Sequence, residues 1–450
     1  MTSTTSNTVL SPRERRKAIV AAAAGNFSEW YDFSVYGVVA AVIAVNFFPA
    51  KDQFVALLST YIIFALTYIT RPLGGLLTGW IADTYGRRPA LALTIAVMTV
   101  ATAAVGVLPS YAAIGVAAPI LLLSCRLLQG LGAGGEYGSA ISFLYEHSAP
   151  ERRARTISYL VSSTFLGVLA GVGFASLLSA IIGNTAFAEW GWRVLFIIAL
   201  PIGLIGMYIR KHVQETPEFI ALRKADELAK VKPSPVRDSF RSHKATMVVF
   251  ILAIGIYPLI TTTITSYFTT FLVRTVKIAP SEAYTITLIT DVALILAALG
   301  TGMIVDKIGM YRTLLSGALL VAVLGVPIFL IASGGHSASI LAGVILGVCG
   351  GILAVPAALA VSQMFPPTVR VTAGSFSYNI TVILFGATGP LLGVALTGQS
   401  GNVYAYGIYL STIALVSAGA IFLGRSRIRR VDGIDAHSSI PPESLVNVKR

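Results

Sequence analysis

Two carboxylates, Glu29 and Asp32, stand three residues apart in GNFSEWYDFSVYG, a stretch otherwise rich in apolar and aromatic residues. Arg71 (in TYITRPLGG) and Arg126 (in LLSCRLLQGLGAGGEYG) each interrupt a hydrophobic run of their own. Glu136, further along the run that holds Arg126, and Asp291 complete the ionisable groups in apolar surroundings. Such a set suits proton exchange. Apolar surroundings favour a neutral carboxylic acid and a nearby guanidinium favours the carboxylate, so an acid that alternates between them loads and releases a proton. Two cations cannot neutralise four acids, so some acids are expected to be neutral in some state. The candidate proton-coupling residues are therefore Asp32, Glu29, Arg126, Glu136 and Asp291. Glu29 and Asp32 share a helix face, and Tyr36 lies four residues beyond Asp32, within reach of a phenol–carboxylate hydrogen bond. Arg71, Arg126, Trp30, Tyr31, Tyr36, Gln129, Tyr378 and Asn379 form the candidate binding surface, with guanidinium groups for a carboxylate and rings and amides for the rest of a small molecule. Trp30 and Tyr31 fit an interfacial aromatic anchor as well as a binding wall.

The elements that carry these residues follow from composition. Only 12% of residues are charged, 55% are apolar and the mean hydropathy is +0.78. A soluble domain is roughly a quarter charged, so an all-α polytopic membrane protein is expected. Apolar runs of about 20 residues, enough for a helix to cross a bilayer, recur along the chain. The alternating pattern of a membrane β-barrel is missing. We expect twelve spans, at 18–48, 54–80, 90–108, 114–145, 154–182, 190–210, 245–273, 282–304, 312–333, 338–365, 372–397 and 403–424. They divide into a first six-helix bundle (18–210) and a second (245–424), joined by a polar linker (211–244). An amino-terminal segment (1–17) and a tail (425–450) flank them. In this frame Arg126 lies roughly 15 Å from the nearer helix end, where an unpaired arginine costs at least a few kcal/mol.

The net charge of +13 is unevenly spread. Most lysines and arginines fall on one side of the twelve spans, a bias that places both termini in the cytoplasm. Charge confined to short loops between apolar spans argues against nucleic acid. Cys125 and Cys349 both sit in apolar runs and imply no disulfide framework. The five histidines are scattered, with no metal pattern, and no nucleophile triad is apparent. No cofactor, metal or enzymatic activity is expected. The expected partners are protons, a small molecule and the lipid bilayer, and the expected working unit is a monomer.

A repeat supports the two halves. GWIADTYGRR (Gly79–Arg88) follows the second span and GMIVDKIGMYR (Gly302–Arg312) follows the eighth; both fit G-x-x-x-D-x-x-G. APERR after the fourth span and PPTVR after the tenth recur at nearly the same offset. Repeated halves are a transporter signature, with the substrate site near the midplane where they meet. Gly79, Asp83, Gly86, Arg87, Arg88, Asp306 and Arg312 are candidate parts of a conformational latch. The glycines allow close backbone approach, and Asp83 is expected to meet a helix amino terminus or to pair with Arg87 or Arg88.

The turn GWIADTYGRR, together with Arg126, Gln129, Gly130 and Gly132 in the fourth span, resembles the major facilitator superfamily. GNFSEWYDFSVYG, RPLGG, GGEYG, GWRVLFIIALP, ETPEF, MFPPTVRVTAGSFSYN and FGATGP together resemble its metabolite:proton symporter family, over about 20–424. The resemblance implies a multi-pass protein of the bacterial cytoplasmic membrane that works by alternating access. It also implies proton-driven import of a small organic acid or zwitterion; family members import citrate, α-ketoglutarate, shikimate, or proline and betaine. It links Arg126 to proton transfer. The alternatives are a proton-driven efflux antiporter and a non-transporting membrane sensor. The fifth span, LGVLAGVGFAS, lacks the Gly-Pro of the superfamily's antiporter motif.

Overall fold

The computed structural model describes residues 12–48, 53–229, 233–400, 402 and 404–428. Most of the expected tail and residues 1–11 of the amino-terminal segment lie outside them. Every regular element among the described residues is helical. Helix α1 (Pro12–Val38) breaks at Val39 and continues as α2 (Ala40–Phe47), inclined by 66°. Then follow α3 (Gln53–Tyr85), α4 (Arg87–Val107), α5 (Ala117–His147), α6 (Arg153–Ile182) and α7 (Trp192–Lys211). The linker holds two short helices, α8 (Pro217–Ala229) and α9 (Pro235–Ser242). The last six spans are α10 (Lys244–Arg274), α11 (Pro280–Ile308), α12 (Met310–Ala332), α13 (His336–Gln363), α14 (Arg370–Thr397) and α15 (Ala405–Leu423).

Ten helices among the described residues are long and apolar enough to cross a membrane, and the bent α1–α2 pair makes an eleventh. Helix α3, with 33 residues, has length to spare as the twelfth. This is the all-α, twelve-helix fold expected from the sequence. Large apolar side chains such as Val100, Ile181, Val323 and Leu391 are exposed, as a hydrocarbon surrounding allows and water would not.

Small residues make the close packing possible. Gly74 and α5's Gly130 and Gly134 sit where any Cβ would strike the backbone of the facing helix, so α3 and α5 touch at the level of Arg71. Helices α1 to α7 pack largely on one another, as do α10 to α15. The two groups meet along α3 with α14, α6 with α11, and α5 with α13 and α14. Wide π turns interrupt α10 at Thr263–Tyr267 and α14 at Val382–Ala387, a deviation often found near functional positions.

Candidate functional site

Three buried acid–arginine pairs run through the first six spans. In the first, Asp32 of α1 accepts from Arg126 Nη1 of α5 at 3.1 Å, with both side chains sealed from solvent. Gln129, one turn further along α5, donates through Nε2 to Asp32 Oδ1 at 3.0 Å and to the Thr102 hydroxyl of α4 at 2.8 Å. The Arg126 guanidinium lies 3.5 Å from the centre of the Tyr36 ring, a cation–π contact. Its Nε and Nη2 have no hydrogen-bond partner among the described residues.

The second pair joins Glu29 Oε1 of α1 to Arg71 Nη2 of α3 at 3.1 Å. Phe33 and Tyr68 lie against the Arg71 guanidinium at 4.4 and 5.0 Å. Glu29 Oε2 and Arg71 Nε are buried without partners among the described residues. A buried polar atom left in that condition costs about 1–3 kcal/mol, so both pairs hold unused capacity. The third pair differs. Glu136 of α5 accepts from two nitrogens of Arg210 in α7 and from the Thr94 hydroxyl of α4. Arg210 also donates to the carbonyls of Ala21 and Leu91, so the pair ties α1, α4, α5 and α7 together. Among the described residues no buried side-chain atom of Glu136 or Arg210 is left over.

These contacts correct the expected charge count. Arg87, Arg210 and Arg370 are buried besides Arg71 and Arg126, and Arg210 occupies Glu136. Arg210 ends the sixth expected span with Lys211 beside it, a position that offers no sign of burial. Asp291 is not brought to the cluster. It is buried in α11 among the last six spans, its Oδ1 has no partner, and no charged group stands beside it among the described residues. The Tyr36 phenol donates to the Thr60 carbonyl at 3.2 Å rather than to Asp32; its ring, not its hydroxyl, serves the pair. Tyr31 packs in an apolar cluster and donates to the Leu195 carbonyl at 2.8 Å, joining α1 to α7. Trp30 is partly exposed and leans on Phe33. Asn379 of α14 donates its amide to the carbonyls of Gly134 and Ser375, both at 2.7 Å, so it clamps α14 to α5. Tyr378 is brought to the site: it stacks on Tyr137 of α5 at 4.7 Å, beside Asn379, whose partner Gly134 packs on the Arg71 backbone. Sequence reasoning missed Tyr68 and Tyr137, for which a tyrosine on an apolar helix offers no distinguishing signal.

The basic end of the bundle is closed by two related caps. Asp83, at the end of α3, accepts from the backbone N–H groups of Val371 and Thr372 at 3.3 and 2.9 Å and from the Thr372 hydroxyl at 2.7 Å. It therefore sits on the amino terminus of α14, where the helix dipole favours a negative charge. Asp306, at the end of α11, accepts from Ala154 and Arg155 N–H at 2.8 and 3.1 Å, on the amino terminus of α6. Gly79 beneath Asp83 and Gly302 beneath Asp306 let the paired helices touch; a Cβ at either would strike Thr372 or Ser158. Gly86 turns the chain at φ 121°, a conformation that favours glycine.

Around Asp83 stands a larger network. Arg87 pairs with Asp83 at 3.1 Å and with Glu146 at 3.2 Å, and donates to the Pro367 carbonyl at 2.9 Å. Arg370 of α14 reaches Glu146 and Glu218, both at 2.8 Å. Glu215 accepts from the backbone N–H groups of Arg87 and Arg88 at 3.1 and 3.0 Å, capping α4, while the Arg88 side chain is exposed. Glu215 and Glu218 both belong to ETPEF, so the linker grips both groups of helices. Arg312 is exposed and, among the described residues, is not brought into an ion pair with Asp306.

The Major Facilitator Superfamily matches residues 22–383 of the chain. The proline/betaine transporter of Escherichia coli (strain K12) is 34% identical over 425 residues, covering 91% of this chain and 83% of that one. The glycine betaine/proline/ectoine/pipecolic acid transporter of Dickeya dadantii (strain 3937) is 33% identical over 425 residues, with the same coverage. An ectoine/proline transporter of Corynebacterium glutamicum is 30% identical over 427 residues, 92% of this chain and 84% of the relative. Among solved structures, a proton:xylose symporter superposes with a TM-score of 0.77 at 15% identity, covering 92% of this chain and 96% of that one; the likeness is one of fold. Repeated aspartate caps, a buried arginine in the fourth span and a match over most of the length lead to one conclusion: the chain belongs to the major facilitator superfamily.

Proposed function

We propose that this protein is a secondary active transporter that imports a small zwitterion or organic acid together with a proton, by alternating access, across a bacterial cytoplasmic membrane. Both termini and both aspartate caps face the cytoplasm. Transport, not catalysis, is its activity, and one chain suffices because both groups of helices supply the site. The relatives named for proline, betaine and ectoine support a zwitterionic cargo.

The observation that carries this reading is the Asp32–Arg126 pair, buried mid-span with two guanidinium donors unused. While Asp32 is ionised it occupies Arg126. A proton on Asp32 frees the guanidinium for a substrate carboxylate, and neither event is favourable alone. A protonated Asp32 without substrate leaves an arginine uncompensated in a low-dielectric interior, which costs several kcal/mol. A substrate carboxylate beside an ionised Asp32 meets like charge. Proton and carboxylate therefore enter together. Gln129 and Thr102 hold the Asp32 side chain in place through the exchange. Asp83 and Asp306, seated on their helix amino termini, support reading this form as the one closed to the cytoplasm. Release inward requires the bundles 18–210 and 245–424 to rock apart at those caps, while the 211–244 linker keeps them joined.

The test is uptake by proteoliposomes holding the purified protein under an imposed pH gradient. Inward proton flow is expected to drive accumulation of labelled proline or glycine betaine; outward movement under that gradient would refute symport. Asp32→Asn is expected to abolish uphill accumulation while keeping exchange of internal for external substrate. Full accumulation by that variant removes Asp32 from the proton path.

A further inference from the structure

Glu29 uses half of what a carboxylate offers. Oε1 accepts from Arg71, whereas Oε2 is buried and has no partner among the described residues. An ionised carboxylate oxygen only accepts, so the missing neighbour is a donor or a cation. The surroundings suit a cation. Tyr68 lies 5.0 Å from the Arg71 guanidinium that holds Glu29, Tyr137 stands one turn past Gly134, which packs on the Arg71 backbone, and the Tyr137 ring stacks on Tyr378 at 4.7 Å. Electron-rich ring faces hold ammonium groups that carry no N–H to donate. One helical turn along α1 the deficiency reverses: Arg126 Nε and Nη2 are donors without acceptors among the described residues. Glu29 and Asp32, whose partner is Arg126, share one face of α1, so the unmet acceptor and the unmet donors belong to neighbouring pairs. Those are the two ends of a small zwitterion.

We propose that Glu29, with Tyr68, Tyr137 and Tyr378, forms a cationic-end subsite that takes the secondary or quaternary ammonium of an ammonium-carboxylate, whose carboxylate sits on Arg126. This rests on the symport reading of Asp32 and Arg126 and adds the residues that select the cargo. Glu136 and Arg210 provide the internal contrast, because a purely structural pair in the same bundle leaves no side-chain atom unmet. A dicarboxylate is rejected here, since its second carboxylate would face that of Glu29. Tyr378 comes from α14 and Tyr68 and Tyr137 from α3 and α5, so a bound ammonium touches both groups of helices. The cargo then bears on how they close. A further consequence is electrical: a zwitterion carries no net charge, so each turnover with one proton moves one positive charge inward. Import of a monocarboxylate anion with one proton would move none.

The experiment uses the full-length protein in proteoliposomes with labelled glycine betaine, and succinate as competitor. At equal pH on both sides, an inside-negative potential is expected to raise uptake at least 3-fold. Succinate in 100-fold excess is expected to leave uptake unchanged. Glu29→Gln is expected to raise the half-saturating concentration of glycine betaine at least 10-fold and to let succinate compete. Tyr378→Leu is expected to raise it about 5-fold and Tyr378→Phe by less, which keeps the subsite testable if the Glu29 variant fails to fold. Competition by succinate in the wild type, or an unchanged half-saturating concentration in both a folded Glu29→Gln and Tyr378→Leu, overturns the subsite alone, whereas uptake of this zwitterion indifferent to the potential overturns the symport reading. Wild-type protein that accumulates no solute under a pH gradient or a potential overturns the symport reading and the subsite with it.

Discussion

Asp83 and Asp306 occupy equivalent turns, yet their surroundings are unequal. Both cap the first turn of a helix from the other group of spans, and both are followed by a glycine with positive φ, Gly86 at 121° and Gly309 at 88°. Four residues past Asp83 stands Arg87, buried and shared between Asp83 and Glu146. Four residues past Asp306 stands Met310, equally buried and apolar. The arginine of the second copy, Arg312, is two positions further on and faces outward. What the copies share is the carboxylate on a helix amino terminus, so we propose that contact as the closing device. The ion-pair network is an addition on one side only, and it recruits the linker through Glu215 and Glu218. The α3–α14 seam therefore carries the larger set of charged contacts, and the expectation is that the α6–α11 seam parts at smaller cost.

Mutations that break this contrast rank accordingly. Asp83→Asn removes the charge on α14 and leaves Arg87 with one acid fewer; breaking a buried pair costs about 3–5 kcal/mol. Uptake should fall more than 10-fold at normal expression, with cysteine probes on the facing surfaces of α3 and α14 labelled faster from the cytoplasmic side. Arg370→Gln unties Glu146 from Glu218, and with Glu218 partly exposed the loss should be about 1–3 kcal/mol. The same probe should report a smaller acceleration. Asp306→Asn exchanges a charged acceptor for a neutral one at two amides, a loss of about 1 kcal/mol, and transport should drop only a few-fold. An effect as large as that of Asp83→Asn would erase the inequality of the seams. Arg312→Ala should stay within about 0.5 kcal/mol in a thermal-shift assay and leave uptake unchanged.

The sequence carries the expensive features plainly and the relational ones hardly at all. Charges in apolar runs stand out, so Glu29, Asp32, Arg71 and Arg126 are legible from the order of residues alone. The twelve helices are legible because hydropathy repeats at bilayer length. Partners are another matter. Nothing in α1 tells that Glu29 meets Arg71 while Asp32 meets Arg126, since both arginines are remote in sequence. Arg210 escapes because a buried arginine at a helix end looks like any loop cation. Tyr36 offers a hydroxyl and a ring to the same neighbourhood, and spacing alone cannot choose between them. Arg312 misleads because the repeat keeps an arginine nearby but not in register. The linker reads as a polar connection, yet α8 and the residues before it bind two surfaces, a contact between segments far apart that no local periodicity announces.

Glu215 and Glu218 have one more consequence. Linkers between repeated halves are usually treated as tethers whose length is all that matters. Here the segment from Glu215 to α8 is an inhabitant of the seam, with one carboxylate on the start of α4 and another on Arg370. A cut between α8 and α9 would leave the two fragments still holding one another through that segment, whereas a chain of full length with a flexible stretch in its place would lose the grip. Attachment and recognition are separable tasks, and this molecule assigns both to one short piece of chain.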